Sequence, residues 1–330
     1  MKVLLTGATG LLGQHLTRKL SEDGHQVFPL VHRRLVEDGR SHLLGDVTLP
    51  RFGLQDLPQI DALVHSAGLV SFSRRHRDAL DRVNIQGTRH AADLAKELGV
   101  PLFHISTAYV CGDHKGVMKA HELDVKQTHH NDYERSKYQA EQHIRRQWGL
   151  TWTVFRPSLL VGDSKVVGVP PLHGFYVAVR AIALTKRWLE RSLALPGLTP
   201  RLRLRADPEA TLNLIPVDLA AREVADVIAD GHPGTYPVVN QHPPTIRQIC
   251  YEASAALEAQ IIPCLSFDPN PAERLLERLI GDLLPYLQGE PEFTPNPESP
   301  LSRAELIPQG FVESTTRLFL AAQKLYRPGG

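Results

Sequence analysis

Tyr133 and Lys137, in the run Tyr133-Glu134-Arg135-Ser136-Lys137, bring a phenol and an amine to a four-residue spacing. On a helix such residues share a face, so the Lys137 ammonium can lie near the Tyr133 hydroxyl and favour its ionised form. A phenol of ordinary pKa, about 10, gives up its proton reluctantly. A neighbouring cation narrows the gap between that phenol and the alkoxide it must protonate, so Tyr133 reads as a proton donor. A Y-x-x-x-K spacing alone is common on surface helices. Its weight here comes from a glycine-rich N-terminal segment and from Ser106-Thr107, which lies between the two.

Lys2-Val3-Leu4-Leu5-Thr6 reads as a short buried strand, Gly7-Ala8-Thr9-Gly10-Leu11-Leu12-Gly13 as a turn, and the residues to about Leu20 as an amphipathic helix. Gly7 permits the tight turn, Gly10 lets the backbone approach a pyrophosphate, and Gly13 lets the helix pack closely on the strand. The helix N-terminus then faces the anion. The spacing is G-x-x-G-x-x-G, and no Gly-Lys-Ser/Thr follows, which excludes a P-loop. The next strand, Gln26 to Val31, runs into His32-Arg33-Arg34, where an NAD-binding chain usually carries an acidic residue for the ribose hydroxyls. A guanidinium at that place can pair with the 2′-phosphate of NADP. The expected cofactor is therefore NADP(H), read by Arg33 and Arg34, with Arg33 foremost.

The elements needed to position these residues are legible as a rhythm. Strands at Ala62 to His65, Leu102 to Ser106 and Thr151 to Phe155 alternate with helices at Asp78 to Leu98 and Asp132 to about Trp148, which predicts an α/β fold with a doubly wound, Rossmann-type parallel sheet. After Arg156-Pro157 the chain becomes proline-rich and less regular. We expect a dinucleotide-binding domain over residues 1–160, with returns near 213–240, and a smaller, mainly helical substrate lobe over 161–330. The returning elements are a helix at Val217 to Ile228 and a strand at Tyr236 to Asn240.

The chain has 330 residues, with 37 Lys plus Arg against 36 Asp plus Glu, so no global field draws in nucleic acid. The three cysteines, Cys111, Cys250 and Cys264, show neither a disulfide framework nor metal spacing, and the sixteen histidines contain no H-E-x-x-H. No metal is expected, and a reducing cytoplasm suits the cysteine count. The first residues do not form a signal peptide, and no apolar run reaches the length of a membrane span. The sequence sets no oligomeric state.

Six strings together resemble the extended short-chain dehydrogenase/reductase superfamily: Thr6 to Gly13, Gly45-Asp46-Val47, His65-Ser66-Ala67-Gly68, Asn84-Ile85-Gln86-Gly87-Thr88, Ser106-Thr107-Ala108-Tyr109-Val110 and Tyr133 to Lys137. The resemblance implies that Thr107 hydrogen-bonds the reacting oxygen, Tyr133 supplies the proton and Lys137 holds the nicotinamide ribose. It implies a cofactor site of Thr6, Gly7, Thr9, Gly10, Leu11, Leu12 and Gly13 at the phosphates, and Asp46 and Val47 at the adenine. Ala67 and Gly68 would lie under the cofactor, with Pro157, Ser158 and Leu159 beside the nicotinamide. Three further strings, Gly45 to Leu54, Arg156 to Ser164 and Asn213 to Asp218, resemble the thioester reductase and fatty acyl-CoA reductase branch. That branch reduces acyl groups held as thioesters on coenzyme A or a carrier protein, which implies a small-molecule or carrier-bound acyl substrate and a place in lipid metabolism.

Hydride attack on a thioester carbonyl polarised by Thr107 and Tyr133 would give a hemithioacetal, whose collapse releases a thiol and an aldehyde that can be reduced again to an alcohol. A ketone would yield an alcohol with the same residues, so a hydroxysteroid-type or 3-keto acyl reductase is an alternative. A nucleotide-sugar epimerase or dehydratase shares the catalytic residues but usually carries an acidic residue where Arg33 stands. A non-enzymatic NADP-binding regulator typically loses the tyrosine. Four further features are site candidates. Arg74-Arg75-His76-Arg77 and the alternating Arg201, Arg203 and Arg205 could meet phosphates. Cys111 invites a nucleophile reading without a partnered base, and Leu172, Phe175, Tyr176, Val179 and Ile182 are spaced to wall an acyl chain along one helix.

Overall fold

The computed structural model describes residues 1–32, 42–168, 172–294 and 306–325. In chain order the first elements are β1 (Lys2–Thr6), α1 (Leu11–Glu22), β2 (Gln26–Val31), β3 (Leu43–Leu44) and β4 (Ala62–His65). There follow α2 (Arg77–Leu80), a π-helical turn over Asp81–Gln86, α3 (Gly87–Leu98), β5 (Leu102–Ile105), β6 (Val117–Met118), α4 (Asp132–Arg145) and β7 (Trp152–Pro157). The later elements are β8 (Leu159–Val161), α5 (Phe175–Leu193), β9 (Arg201–Arg205), β10 (Leu214–Pro216), α6 (Val217–Asp230) and β11 (Gly234–Val238). The chain continues through α7 (Ile246–Leu257), β12 (Gln260–Cys264), α8 (Pro271–Ile280), β13 (Glu292–Phe293) and α9 (Phe311–Ala322).

The chain divides into two compact units. The first comprises residues 1–158, 217–239 and 291–302, and holds a seven-stranded sheet of order β11-β7-β5-β4-β1-β2-β3. All its pairings are parallel. The sequence explains why. Leu4, Leu63, Leu102 and Val154 pack with Ala91, Ala92, Leu94 and Ala95 of α3 and Ile144 of α4, while Val3, Leu5 and Val64 are equally buried on the other face. Strands apolar on both sides need helices on both faces, the condition under which parallel sheets form. The chain runs outward from β1 in opposite directions, to β2 and β3 on one side and to β4 and β5 on the other. This reversal opens a crevice at the carboxyl ends of β1 and β4, the place where such sheets bind ligands.

This is the Rossmann-type α/β fold expected from the sequence. Of residues 213–240, α6 and β11 belong to the first unit and β10 to the second. Residues 291–294, which the sequence placed with the second half, fall in the first unit, where β13 pairs with β6.

The second unit, residues 159–216, 240–290 and 303–330, packs α5, α7, α8 and α9 with the pairs β8/β10 and β9/β12. Phe175, Tyr176, Val179 and Ile182 of α5 are buried in its core with Leu214, Ile249 and Phe319. The Tyr176 hydroxyl accepts a hydrogen bond from the Gly162 N–H at 2.9 Å and lies 2.6 Å from the Thr315 hydroxyl. The acyl-wall expectation for this stripe is therefore corrected: four of its five residues fill the unit's own core, and Leu172 is exposed. Arg203 and Arg205 pair with Glu273 at 2.8 Å and Glu277 at 2.9 Å and lie over the Phe267 ring, so their charge is committed internally.

Gly13 fixes how closely α1 approaches β1. A Cβ there would stand 2.0 Å from the Gly7 carbonyl oxygen, so the backbone itself would have to move. Gly13→Ala should lower stability by about 1–3 kcal/mol, the range for overpacking. Chemical denaturation checks this, and an unchanged midpoint would contradict the packing account.

Candidate active site

The helix that carries Tyr133 and Lys137 begins at a well-made cap. The Asn131 side chain accepts the Glu134 N–H at 3.0 Å, and Glu134 reciprocates by accepting the His130 N–H at 2.8 Å. Satisfying these donors starts α4 at Asp132, and Tyr133 sits in its first turn. Arg135 ties that turn to the π-helical segment through Asp81 at 2.6 Å and to Asp132 at 3.0 Å. Thr107 lies just past the end of β5, buried, with its hydroxyl near enough to the Tyr133 phenol to influence its titration. The same hydroxyl reaches the Pro157 carbonyl at 3.5 Å.

Lys137 is buried and turned inward. Its ammonium donates to the Ile105 carbonyl at 2.8 Å and lies close to Gly68, where a Cβ would stand 3.0 Å from Nζ. Burial draws its pKa down to about 8, opposed by the charge of Glu141. The Tyr133 phenol is pushed up to about 12 by burial, with the nearby Thr107 hydroxyl opposing and the Glu134 charge adding to the rise. The expected depression of the phenol by Lys137 is thus corrected. The shared helix face is present, but the amine is engaged at Ile105, and burial dominates. A phenol in this state is fully protonated at neutral pH and can still protonate an alkoxide, which is the stronger base.

Asn84 carries no assigned role in the sequence reading, yet it is fully buried beside this set. Its amide donates to the Ser136 hydroxyl at 2.9 Å and to the Leu69 carbonyl at 3.0 Å, and its oxygen accepts the Leu69 N–H at 2.8 Å. Ser136 in turn donates to the Tyr133 carbonyl at 2.7 Å. The signal was available: Leu80, Asn84, Thr88 and Ala91 fall on one buried stripe, where an amide must find polar partners. Glu141 and Arg156, both buried and paired at 2.6 Å, were also missed.

The remaining predicted positions lie at the ends of β1, β3, β4 and β7. Thr6 is buried beneath the glycine turn, hydrogen-bonded to His65 Nδ1 at 2.9 Å and accepting the Ala67 N–H at 3.1 Å, so it braces both loops of the crevice. Thr9 and Gly10 are exposed, Leu11 is half-buried, and Leu12 and Gly13 are buried. Asp46 shapes its own turn by accepting from the Thr48 N–H and hydroxyl at 2.9 and 2.8 Å, and Val47 packs at Gly87. Leu159 opens β8 in the second unit. Arg33 and Arg34 lie outside the described residues.

These residues fit a dinucleotide. Gly7 has φ +70°, and a Cβ on it would lie 2.5 Å from the Ala67 nitrogen, so the turn is drawn tightly against the β4 loop. A Cβ on Gly10 would meet only the Gly7 oxygen, at 3.2 Å, and no side chain caps α1 there. The uncapped, open N-terminus of α1 suits a phosphate. The Ser158 hydroxyl is buried with no hydrogen-bond partner among the described residues, a group that a bound polar ligand would satisfy. Other candidates recede. Cys111 is buried, with Sγ directed to the Gly112 carbonyl, and Arg74, Arg75 and Arg77 are exposed on a helix start. No cluster of three or more metal-ligating side chains exists among the described residues.

Comparison with known proteins agrees with this reading. The male sterility protein family model, an NAD-binding domain, matches residues 38–224. The chain belongs to that family, within the extended short-chain dehydrogenase/reductase superfamily, and is an NAD(P)-dependent oxidoreductase. A polyketide synthase-nonribosomal peptide synthetase of Aspergillus flavipes, ffsA, is 25% identical over 257 residues, 70% of this chain and 6% of that protein. The chain thus spans a small fraction of that relative's length. A ceramide reductase of Caulobacter vibrioides is 28% identical over 246 residues, 71% of this chain and 67% of that protein. Among solved structures, a thiolation-reductase di-domain of an archaeal nonribosomal peptide synthetase superposes with a TM-score of 0.70 at 17% identity, covering 99% of this chain and 91% of that one.

Tyr133→Phe removes the phenol hydroxyl and should cut turnover by at least the ~100-fold typical of a lost general acid, leaving dinucleotide affinity intact. Steady-state kinetics beside fluorescence titration of the cofactor would show this. Near-normal turnover in the variant would remove Tyr133 from the chemistry.

Proposed function

We propose that this protein reduces an acyl thioester, presented on coenzyme A or a carrier protein, to an aldehyde or alcohol at the expense of NADPH. The observation that carries the reading is the family match over residues 38–224, which spans the buried Thr107 and Lys137 and the half-buried Tyr133. The similarity to a polyketide synthase-nonribosomal peptide synthetase and the fold shared with a thiolation-reductase di-domain favour a thioester over other carbonyls. The nicotinamide supplies the hydride when bound. Thr107 and the protonated Tyr133 hold the carbonyl oxygen at hydrogen-bond distance, and Tyr133 transfers its proton to that oxygen as negative charge develops there. Lys137, whose ammonium lies beside Gly68, would hold the nicotinamide ribose. The resulting hemithioacetal loses its thiol, and the aldehyde can pass through the same site again. No helix of the described residues is long and apolar enough to cross a membrane, and we place the activity in the cytoplasm.

The ceramide reductase similarity supports a second reading, in which the substrate is a lipid carbonyl that has no thiol to release. Thiol release coupled to cofactor oxidation separates the two. The thioester reading expects one thiol freed per acyl group reduced across a panel of acyl-CoA and carrier-bound substrates. Brisk reduction of ketones with no thiol from any thioester would replace it with the keto-reductase reading.

Arg33 and Arg34 support NADPH as the physiological donor. Arg33→Ala should weaken NADPH binding by about 1.5–3 kcal/mol, the worth of one charge-assisted contact, and spare NADH. Calorimetry with both cofactors measures it, and equal affinities in the unaltered protein would speak for a donor chosen by other residues.

A further inference from the structure

Three consecutive residues at the end of β5 each engage a different turn of α4. The Ile105 carbonyl accepts from Lys137, the Ser106 hydroxyl donates to Glu141 at 3.0 Å, and the Thr107 hydroxyl lies near enough to Tyr133 to act on its titration. Tyr133, Lys137 and Glu141 lie four residues apart, one face of one helix. The first and second belong to the proposed chemistry, and the third has no part in it so far.

Glu141 is fully buried and its carboxylate is saturated. One oxygen receives Arg156 Nη2 at 2.6 Å and Arg145 Nη2 and Nε at 2.8 and 3.1 Å. The other receives Ser106 and Arg156 Nε at 3.2 Å. Arg156 immediately precedes Pro157, whose carbonyl meets Thr107, so the carboxylate joins the ends of β5 and β7 to α4. Stability alone is a poor reason for such a cluster, since a buried ion pair can often be replaced by apolar groups at no loss. We propose that Glu141 is a positioning residue, which holds the backbone segments bearing Thr107, Pro157 and Lys137 together and keeps Lys137 cationic in its buried place. The inference rests on Thr107, Tyr133 and Lys137 as the reacting set and is independent of the substrate.

The surroundings of Lys137 leave this task to Glu141. His65 on β4 and His104 on β5 stack at 5.5 Å, and burial, reinforced by the Lys137 charge, holds both well below the usual histidine range, so both are neutral. Tyr133 stays protonated. Arg145 and Arg156 face Glu141 and partly neutralise it. Glu141 is the acidic group that acts on Lys137 against its burial.

The signs follow. Lys137 serves as an ammonium below its own pKa, about 8, and is lost as pH rises through it. Glu141→Gln removes the influence that raises this value, so the alkaline limb moves to lower pH. Arg145→Gln removes a cation and frees the Glu141 charge, so the limb moves to higher pH. Arg145 is partly exposed, and this variant should fold even if the first does not. Glu141→Asp keeps the charge and should keep the limb in place while turnover falls.

The test uses the full chain and two readouts over pH 6 to 10: NADPH affinity by fluorescence, and NADPH-coupled reduction of a simple aliphatic aldehyde. We expect opposite displacements of about one pH unit for Glu141→Gln and Arg145→Gln, a roughly tenfold difference in affinity or turnover at the limb. Circular dichroism confirms folding of each variant. A purely structural Glu141 would scale the profiles without moving them. A folded Glu141→Gln whose limb stays in place, or an Arg145→Gln limb that stays or moves to lower pH, would overturn the proposal. Absence of thiol release from thioesters would leave these profiles untouched and bears only on the substrate.

Discussion

Packing of the first three turns of α4 against the carboxyl end of β5 is the constraint to which the first unit answers. An ammonium and a carboxylate on one helix face leave bulk water beside a half-buried phenol, and the end of β5 supplies partners for both: the Ile105 carbonyl for Lys137 and the Ser106 hydroxyl for Glu141, which Arg145 and Arg156 also pair. Unpaired burial of such groups costs several kcal/mol apiece. The pairing therefore fixes the height of α4 along the strand as well as its contact with the sheet. The Asn131 cap begins the helix at the right residue, Arg135 anchors its first turn to Asp81, and Asn84 closes the gap between Ser136 and the β4 loop.

The same burial settles the electrostatics. In water an amine four residues from a phenol would lower it slightly. Here dehydration raises the phenol and lowers the amine, so each favours its neutral form more than it would in solution. For a reductase this is a workable resting state, because the proton to be donated is already on Tyr133. The neutral His65 and His104 pair beneath adds bulk without adding charge, which leaves the field at Lys137 to Glu141 and its two arginines.

Much of this was legible in the sequence, and the exceptions share a cause. β1, β4 and β5 are short apolar runs that read directly as buried strands, and the Gly7 to Gly13 spacing identified the turn that a Cβ would destroy. The helix expected from Asp78 to Leu98 is interrupted by the π-helical turn over Asp81–Gln86. One extra residue in a turn shifts the stripe too little to break its periodicity, although π turns frequently mark functional sites. Spacing placed Tyr133 and Lys137 on one face and could not say that the amine points to Ile105. β13 is two residues long, too short for any pattern to show that residues 291–294 return to the first unit.

The α5 stripe shows the other limit of periodicity. Phe175, Tyr176, Val179 and Ile182 announce a buried helix face, and a face can be buried by protein or by ligand with the same spacing. Tyr176 decides between them, because its hydroxyl is bonded to Gly162 and Thr315 within the unit, and an acyl chain could not replace those partners without leaving three polar groups unsatisfied. A surface that selects an acyl group must then be built from side chains outside this stripe. Such side chains are chosen for one ligand's shape and not for a helix or strand repeat, so they carry no period. This is why the reaction class is written plainly in residues 1–160 while the substrate is not.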